Sequence, residues 1–381
     1  MLKLIKLKYS ERDNNPQEWA LEEFDLSQTN LLVGKNATGK TRTLKVISGL
    51  TRLLSGQLKK IFSDANYKAQ FEDKKDKITY ELIIKKEKVQ KELLTINGKE
   101  KISRGEAGVG KIFVEKLKEN IDFKVDENKL AVVEKRDEIQ HPFLENLILW
   151  GKNALLIKFG SNVNQQIVIQ DKQPVIHKDI DLHDKRKVLE MFLRGKKLDK
   201  KFTDTIKKEM KVIGYKIKSI GPEKMDVMMH GIDGEIPATV KNLAVREIDL
   251  KGITNQHQMS AGMFRVLSLL IQIKVAKLIM SPSLIMIDDI GEGLDYSRST
   301  QLIKLLMEET KNSPVQLIMS TNDRFIMNIV PIEFWALIKR TGSTCKVFNH
   351  INSKQIFEDF KFTGLSNFDF FSRDFLDHEK N

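Results

Sequence analysis

The sequence predicts an α/β protein in which a parallel core sheet is accompanied by an antiparallel β layer and a helical insertion. An apolar strand at residues 30–34 (NLLVG) runs into a loop with a second glycine, and apolar residues at helical spacing follow from Thr41. Residues 60–135 alternate apolar and charged positions, which is typical of strands with one buried face. From Ser260 onward, helical and strand patterns alternate, and this favours a second α/β half with parallel strands.

The remaining elements follow from local patterns. Residues 1–9 and 19–26 have the alternation of strands, and Asn97-Gly98 is a strong hairpin signal. Pro142 suits the first position of a helix, and residues 142–215 have mostly helical patterns, whereas residues 216–252 return to strands. We therefore divide the chain into an N-terminal lobe (1–140), a helical insertion (141–215), a C-terminal lobe (216–350) and a Phe-rich tail (351–381).

Composition limits the classes of partner and compartment. The net charge is +12, which favours acidic partners such as nucleic acid, although lysine-rich composition alone is an equally good explanation. Cys345 is the single cysteine, so no disulfide forms within the chain. The N-terminus lacks a signal peptide and no apolar run is long enough to span a membrane, so we expect a cytoplasmic protein without a membrane partner.

A phosphate-binding loop is the strongest motif. Residues 34–41 (GKNATGKT) match G-x-x-x-x-G-K-[ST], with an apolar strand before them and a helix after them. Lys40 should reach the β- and γ-phosphates of a nucleotide, and the Thr41 hydroxyl should bind Mg²⁺. ATP and Mg²⁺ are therefore the expected ligands, and the predicted nucleotide-binding residues of this segment are Gly34, Asn36, Ala37, Thr38, Gly39, Lys40, Thr41 and Arg42.

The second half of a nucleotide-hydrolysing site is predicted at residues 283–289 (SLIMIDD). Asp288 ends an apolar strand, where its carboxylate should hold Mg²⁺ opposite Thr41. Asp289 follows at once and is the predicted catalytic group that orients the attacking water.

Together, these motifs resemble the ABC-type ATPases. Residues 259–263 (MSAGM) are similar to a degenerate signature motif about 25 residues before Asp288, and Leu294-Asp295 follows in the place of the D-loop. More than 200 residues separate the phosphate loop from the signature, which resembles the SMC-like and OLD-like bacterial group of AAA-family ATPases. The resemblance implies an ATP-dependent dimer of heads. In it, Ser260 and Gly262 would touch the partner's γ-phosphate, Asp295 would cross the interface, and Gln140 would be the Q-loop residue that senses Mg²⁺.

Two positions depart from the family pattern. Asp289 stands where relatives have Glu, and Asn322 stands where they have a histidine that contacts the γ-phosphate. Asp is shorter by one methylene and Asn carries no charge, so we expect Lys40, Asp289 and Asn322 to support slow basal hydrolysis. Alternatively, Glu292 or Asp323 supplies the missing function.

The resemblance also suggests a biological role. It implies a sensor or scaffold for a separately encoded effector in anti-phage defence, since too few residues follow Asn322 for the nuclease domain of OLD-like relatives. The alternative is a DNA-clamping ATPase of the recombination or repair mediator type, which would use basic residues of the helical insertion, or these residues are an ordinary solvated helix face. The residues are Arg194, Lys196, Lys197, Lys200, Lys201, Lys207, Lys208 and Lys211. The Phe-rich tail either packs on the chain's own core or docks a partner.

Overall fold

The computed structural model describes residues 2–160, 169–170, 188–231, 234–279, 284–311, 313 and 315–378. Its strands, in chain order, are β1 (Lys3–Glu11), β2 (Trp19–Asp25), β3 (Thr29–Val33), β4 (Asp64–Asp73), β5 (Asp76–Lys85), β6 (Lys88–Ile96), β7 (Lys99–Arg104), β8 (Val109–Val114), β9 (Glu119–Lys124), β10 (Ala154–Lys158), β11 (Ile169–Gln170), β12 (Ile217–Gly231), β13 (Gly234–Glu247), β14 (Thr254–Asn255), β15 (Leu284–Asp288), β16 (Gln316–Ser320), β17 (Trp335–Thr341) and β18 (Thr344–Asn349). Its helices are α1 (Lys40–Leu54), α2 (Ala131–Glu134), α3 (Glu145–Lys152), α4 (Val188–Leu198), α5 (Phe202–Val212), α6 (Ala261–Ile279), α7 (Tyr296–Lys311), α8 (Arg324–Ile329), α9 (Lys354–Phe362), α10 (Asn367–Ser372) and α11 (Phe375–His378).

The chain divides into two compact units. Unit 1 comprises Met1–Leu156, Pro282–Asp288 and Thr310–Asn381, and unit 2 comprises Ile157–Ser281 and Asp289–Glu309. Unit 1 therefore combines residues from both ends of the chain, and the division into four segments stays a prediction.

Unit 1 is built on a large mixed sheet. The strand order among the described residues is β10-β15-β16-β3-β17-β18-β2-β1-β4-β5-β6-β7-β8-β9. β15, β16, β3 and β17 are mutually parallel, and β3, β15 and β16 are buried at every position, as strands covered on both faces must be. The predicted α/β class with a parallel core sheet and an antiparallel β layer is confirmed.

The antiparallel part of this sheet forms the predicted β layer. Strands β4 to β9 pair in sequence, and β4 and β5 alternate between buried and less buried positions. Asn97 and Gly98 form the tight turn between β6 and β7, with φ of 50° and 77°. This left-handed pair confirms the predicted hairpin turn, because a two-residue loop of type I′ requires positive φ at both positions.

The buried ion pair of Glu92 and Arg104 connects the β layer to α2. The Glu92 carboxylate is fully buried, and it accepts hydrogen bonds from the backbone N–H groups of Ala131 (2.7 Å) and Val132 (2.9 Å) and from the Tyr80 hydroxyl (3.1 Å). The Arg104 guanidinium lies 3.4 Å from the same carboxylate. Burial raises the pKa of Glu92, while these hydrogen bonds and the Arg104 charge oppose that rise.

Unit 2 has α6 as its central helix. Thirteen residues of α6 are buried, including apolar residues on all sides, which is typical of a helix in a protein interior. Its neighbours within the unit include α4 and α5, and the long hairpin of β12 and β13 completes the fold. Lys274 of α6 joins α5 to α7, because its ammonium lies 2.5 Å from Glu209 and 3.0 Å from Glu309.

The predicted helical insertion contains two strands, β10 and β11. Residues 142–152 and 188–212 contain helices, but Ala154–Lys158 is β10, which lies beside β15 in the large sheet. The five-residue apolar run ALLIK is too short to favour a helix over a buried strand, and neighbouring helical patterns masked it.

The Phe-rich tail forms three short helices in unit 1. Phe357, Phe360 and Phe370 are at most 2% exposed, and the Phe370 ring contacts those of Phe357 and Phe360 and the ring of Trp335. These contacts favour the reading in which the tail packs on the chain's own core. Phe362, in contrast, is 87% exposed. Among the described residues, no helix is long and apolar enough to cross a membrane.

Candidate nucleotide site

The phosphate loop lies between β3 and α1 in unit 1. Ala37 and Gly39 have φ of 63° and 108°, so the loop curls through two left-handed positions before the helix begins at Lys40. Thr38 closes the loop from within, because its hydroxyl donates a hydrogen bond to the Lys35 carbonyl at 2.8 Å. This left-handed curl, directly followed by the N-terminus of a helix, is the conformation that a bound phosphate requires.

Lys40 is folded back onto the loop. Its ammonium donates hydrogen bonds to the carbonyls of Gly34 (2.6 Å) and Lys35 (3.1 Å), and the residue is only 6% exposed. Its side chain therefore lies along the loop, where an ammonium can reach the phosphates of a bound nucleotide.

Asp288 and Thr41 meet as predicted for a magnesium site. The Thr41 hydroxyl lies 3.0 Å from the Asp288 carboxylate, which is 5% exposed. The Ser320 hydroxyl lies 2.6 Å from the same carboxylate oxygen. Hydroxyl and carboxylate oxygens are suitable hard ligands for Mg²⁺, so Thr41 and Asp288 fit the expected ion, directly or through its water shell.

Parallel pairing explains this convergence. Ile287 of β15 is in register with Met319 of β16, and Ser320 of β16 is in register with Leu32 of β3. The carboxyl ends of the three strands therefore lie at one edge of the sheet, where ligands of open α/β sheets bind. Ser320 was not predicted as a site residue, because its proximity to Asp288 depends on the register between β16 and β15.

Asn322 and Gln140 have different surroundings in unit 1. Asn322 is exposed in the loop that follows β16. Its neighbour Asp323 caps α8, accepting the Phe325 N–H at 2.7 Å, so that carboxylate already has a structural role. Gln140 is also exposed, and its backbone bonds to Asp137 and to Glu115, which follows β8. The described contacts of Gln140 thus lie with the β layer, and its assignment as a magnesium sensor stays a prediction.

The signature residues of unit 2 lie at the start of α6. Ser260 is exposed and caps the helix, accepting the Met263 N–H at 3.2 Å, whereas Gly262 is buried. A Cβ at Gly262 would lie 2.8 Å from the Gly293 carbonyl oxygen, so the helix packs directly on the loop that ends at Asp295. Asp295 is itself exposed and caps α7, and the Arg298 N–H and guanidinium lower its pKa.

Asp289 opens the same loop in an unusual conformation. Its φ is 54°, in the left-handed region that Asp tolerates better than most residues. Gly160 packs against it, since a Cβ at Gly160 would lie 2.7 Å from the Asp289 Cβ and would overlap the Glu292 carboxylate. Arg265 donates hydrogen bonds to the carbonyls of Glu292 (2.7 Å) and Gly160 (3.4 Å). Gly160 and Arg265 belong to no recognisable motif, so neither could be predicted as a site residue.

Comparisons with known proteins add little to this geometry. No protein-family model and no curated protein matches the sequence. Among solved structures, the chain is similar to SMC head domains, each at 11% identity. The alignment with an SMC head bound to the C-terminal winged-helix domain of ScpA has a TM-score of 0.49 and covers 91% of this chain and 96% of that SMC head chain. The SMC head from Thermotoga maritima has a TM-score of 0.46, covering 91% and 98%. A Pyrococcus furiosus SMC head with an extended coiled coil, bound to the C-terminal domain of ScpA, has a TM-score of 0.48, covering 95% and 100%. At these values, the similarity carries no argument about activity or partners.

Proposed function

We propose that the chain binds Mg·ATP at the phosphate loop and hydrolyses it as an ABC-type, SMC-like ATPase. The observation that supports this most directly is the convergence of Thr41 and Ser320 on Asp288 beside the phosphate loop. Few other functions need a buried carboxylate, two hydroxyls and a buried lysine at the carboxyl edge of a parallel sheet. Bound Mg²⁺ would neutralise charge on the β- and γ-phosphates.

In this mechanism, the protein mainly positions charged groups. Lys40 exchanges its loop carbonyls for phosphate oxygens, and the N–H groups of the loop and of α1 hold the remaining oxygens. Asp289 orients the attacking water. Asn322, which cannot carry the charge of a histidine, accounts for the slow turnover that we expect, because phosphoryl transfer depends on charged groups placed at the γ-phosphate.

We further propose that ATP joins two heads. Ser260 and Asp295 are exposed at neighbouring points of unit 2, which is what residues that touch a partner's nucleotide require. The Ser260 hydroxyl and the N–H groups at the start of α6 would face the γ-phosphate of the other protomer. The dimer would therefore form with ATP and separate after hydrolysis.

The test combines ATP turnover with the molecular mass in solution. Lys40→Ala should abolish nucleotide binding and dimer formation, whereas Asp289→Ala should bind ATP and accumulate as a dimer. Lys45→Ala is the matched control, since Lys45 is an exposed lysine of the same helix. Wild type without turnover and without any ATP-dependent change in mass would refute the mechanism.

A DNA-binding role is a second candidate function. Six lysines of α4, α5 and the turn between them are exposed and, among the described residues, have no carboxylate partner. They are Lys196, Lys197, Lys200, Lys201, Lys208 and Lys211. Such a face suits a phosphate backbone, bound without sequence preference.

Salt dependence tests this candidate. Each lost phosphate contact should lower the slope of log affinity against log salt by about 0.9. Four alanines at positions 196, 197, 200 and 201 should therefore reduce the slope for duplex DNA by about 3.6 if all four touch phosphates. Four alanines at the exposed lysines 59, 74, 75 and 86 of unit 1 are the control, and an equal effect of both sets would refute a specific surface.

The role as a sensor or scaffold for a separately encoded effector in anti-phage defence has its support in the sequence resemblance alone. It predicts stable copurification with a protein encoded nearby. Turnover that DNA stimulates, without such a partner, would instead favour the mediator role.

A further inference from the structure

We propose that Arg265 couples the signature helix to the catalytic loop, so that engagement of a partner's nucleotide sets the position of Asp289. This inference rests on the proposed function and assigns a positioning residue within it. Every contact on which it depends lies within unit 2.

The geometry begins at the first turns of α6. Arg265 lies four residues after Ala261, the first helical residue, and side chains of a helix point back toward its N-terminus. The guanidinium therefore reaches the end of the helix where Ser260 and Gly262 are. There its two terminal nitrogens donate to carbonyls of two separate segments, at Glu292 and at Gly160.

Both carbonyls belong to segments that touch Asp289. The Glu292 N–H donates to the Asp289 carbonyl at 3.4 Å, so Asp289 and Glu292 are the two ends of one turn. Gly160 packs against Asp289, since a Cβ at Gly160 would lie 2.7 Å from the Asp289 Cβ. Arg265 therefore binds both segments that contact Asp289, at Glu292 and at Gly160, while the described contacts include none between Arg265 and Asp289 itself.

The signature helix packs on the same turn through glycine. The close approach of Gly262 to the Gly293 carbonyl leaves no room for a side chain, and Arg265 approaches Gly293 as well, since a Cβ there would lie 2.7 Å from its guanidinium. Because Gly293 is held from two points of α6, the helix and the loop must shift together. A shift of Ser260 toward a γ-phosphate would then move Asp289.

Lysine cannot reproduce this arrangement. A guanidinium presents its donors in a rigid planar fork, whereas an ammonium is a point charge that cannot hold two carbonyls in one fixed geometry. Among the described residues, Arg265 has no carboxylate in an ion pair, so its charge alone does not explain its position.

The test separates kcat from KM. We expect Arg265→Ala and Arg265→Lys each to lower kcat about tenfold or more, with KM for ATP, ATP-dependent dimer formation and melting temperature nearly unchanged. Arg246→Ala, at an exposed arginine of the same unit, is the control and should keep wild-type kinetics. Arg265→Ala combined with Gly160→Ala should cost less than the product of the two single effects, because both act through Asp289.

Three outcomes overturn the inference. Unchanged kcat would remove the role of Arg265 while leaving the ATPase intact. Recovery by lysine, or a loss of kcat that follows a fall in melting temperature, would show that Arg265 acts through charge or stability. Absence of turnover in wild type would refute the proposed function and the role of Arg265 with it.

Discussion

Substitution of Gly160 by alanine tests whether Asp289 is the catalytic group. The added Cβ would lie 2.7 Å from the Asp289 Cβ, which is 0.7 Å less than the 3.4 Å at which ordinary van der Waals contact begins. It would also overlap the Glu292 carboxylate, but that group is the flexible end of a side chain and can turn away. The Asp289 Cβ is bonded directly to the backbone of a tight turn and cannot rotate away, so Asp289 or residue 160 must shift by about 0.7 Å.

The size of the shift sets the expected loss of activity. A misplacement of about 1 Å at a reacting group costs roughly a hundredfold in rate. A displacement somewhat smaller than that should lower kcat about 10- to 100-fold. ATP binding should be retained, because the phosphate loop and Asp288 belong to unit 1.

The assay is steady-state ATP turnover, with nucleotide affinity measured separately on the same preparation. Gly252→Ala is the control, since a Cβ at Gly252 meets nothing within 4 Å among the described residues and its backbone is not left-handed. Turnover of Gly160→Ala within twofold of wild type would refute the packing of Gly160 on a catalytic Asp289. Equal losses in both variants would show a general sensitivity to added side chains.

Three other substitutions have defined outcomes. Ser320→Ala removes one of the two hydroxyls that contact the Asp288 carboxylate, so the Mg²⁺ concentration for half-maximal turnover should rise about tenfold. An unchanged Mg²⁺ titration would contradict a role of Ser320 at the magnesium site. Arg104→Met leaves Glu92 buried without its cation and should lower the free energy of unfolding by about 3–5 kcal/mol in denaturant titrations. Because burial raises the Glu92 pKa above its unfolded value, that variant should lose more stability at pH 8 than at pH 5, and the reverse order would be contradictory. Phe370→Ala should cost about 3–5 kcal/mol, whereas Phe362→Ala, at an exposed position, should cost almost nothing; equal losses would argue against packing of the tail on the core.

The parts of the site that local chemistry determines could be predicted from the sequence. A strand, a glycine-containing loop and a helix must follow one another to hold a phosphate, and an acidic residue must end a neighbouring buried strand. The contact of 3.0 Å between Thr41 and Asp288 has this origin. The hairpin turn at Asn97-Gly98 was predictable for a similar reason, since few residue pairs accept two left-handed positions.

The parts that depend on tertiary pairing could not be predicted. Ser320 reaches Asp288 because β15 and β16 are parallel and in one register, and the sequence does not encode that register in any local pattern. β10 was hidden by the helical patterns on both sides, although its apolar run is that of a buried strand. Gly160 and Arg265 acquire a role only where distant segments approach Asp289.

The conformation of Asp289 offers a physical reason for the departure from the family's glutamate. At a φ of 54°, the left-handed backbone costs most L-residues about 1–2 kcal/mol because of their Cβ, whereas the short polar side chains of Asp and Asn can hydrogen-bond locally and are better tolerated. Glu would also add a methylene to a side chain that is already packed against Gly160. We therefore expect Asp289→Glu to turn over ATP more slowly than wild type, and Asp289→Asn to keep the fold and the ATP-dependent dimer while losing turnover. If the shorter reach of Asp were instead the limit on rate, Asp289→Glu would be faster than wild type, and single-turnover kinetics of the two variants would show which constraint determines the residue.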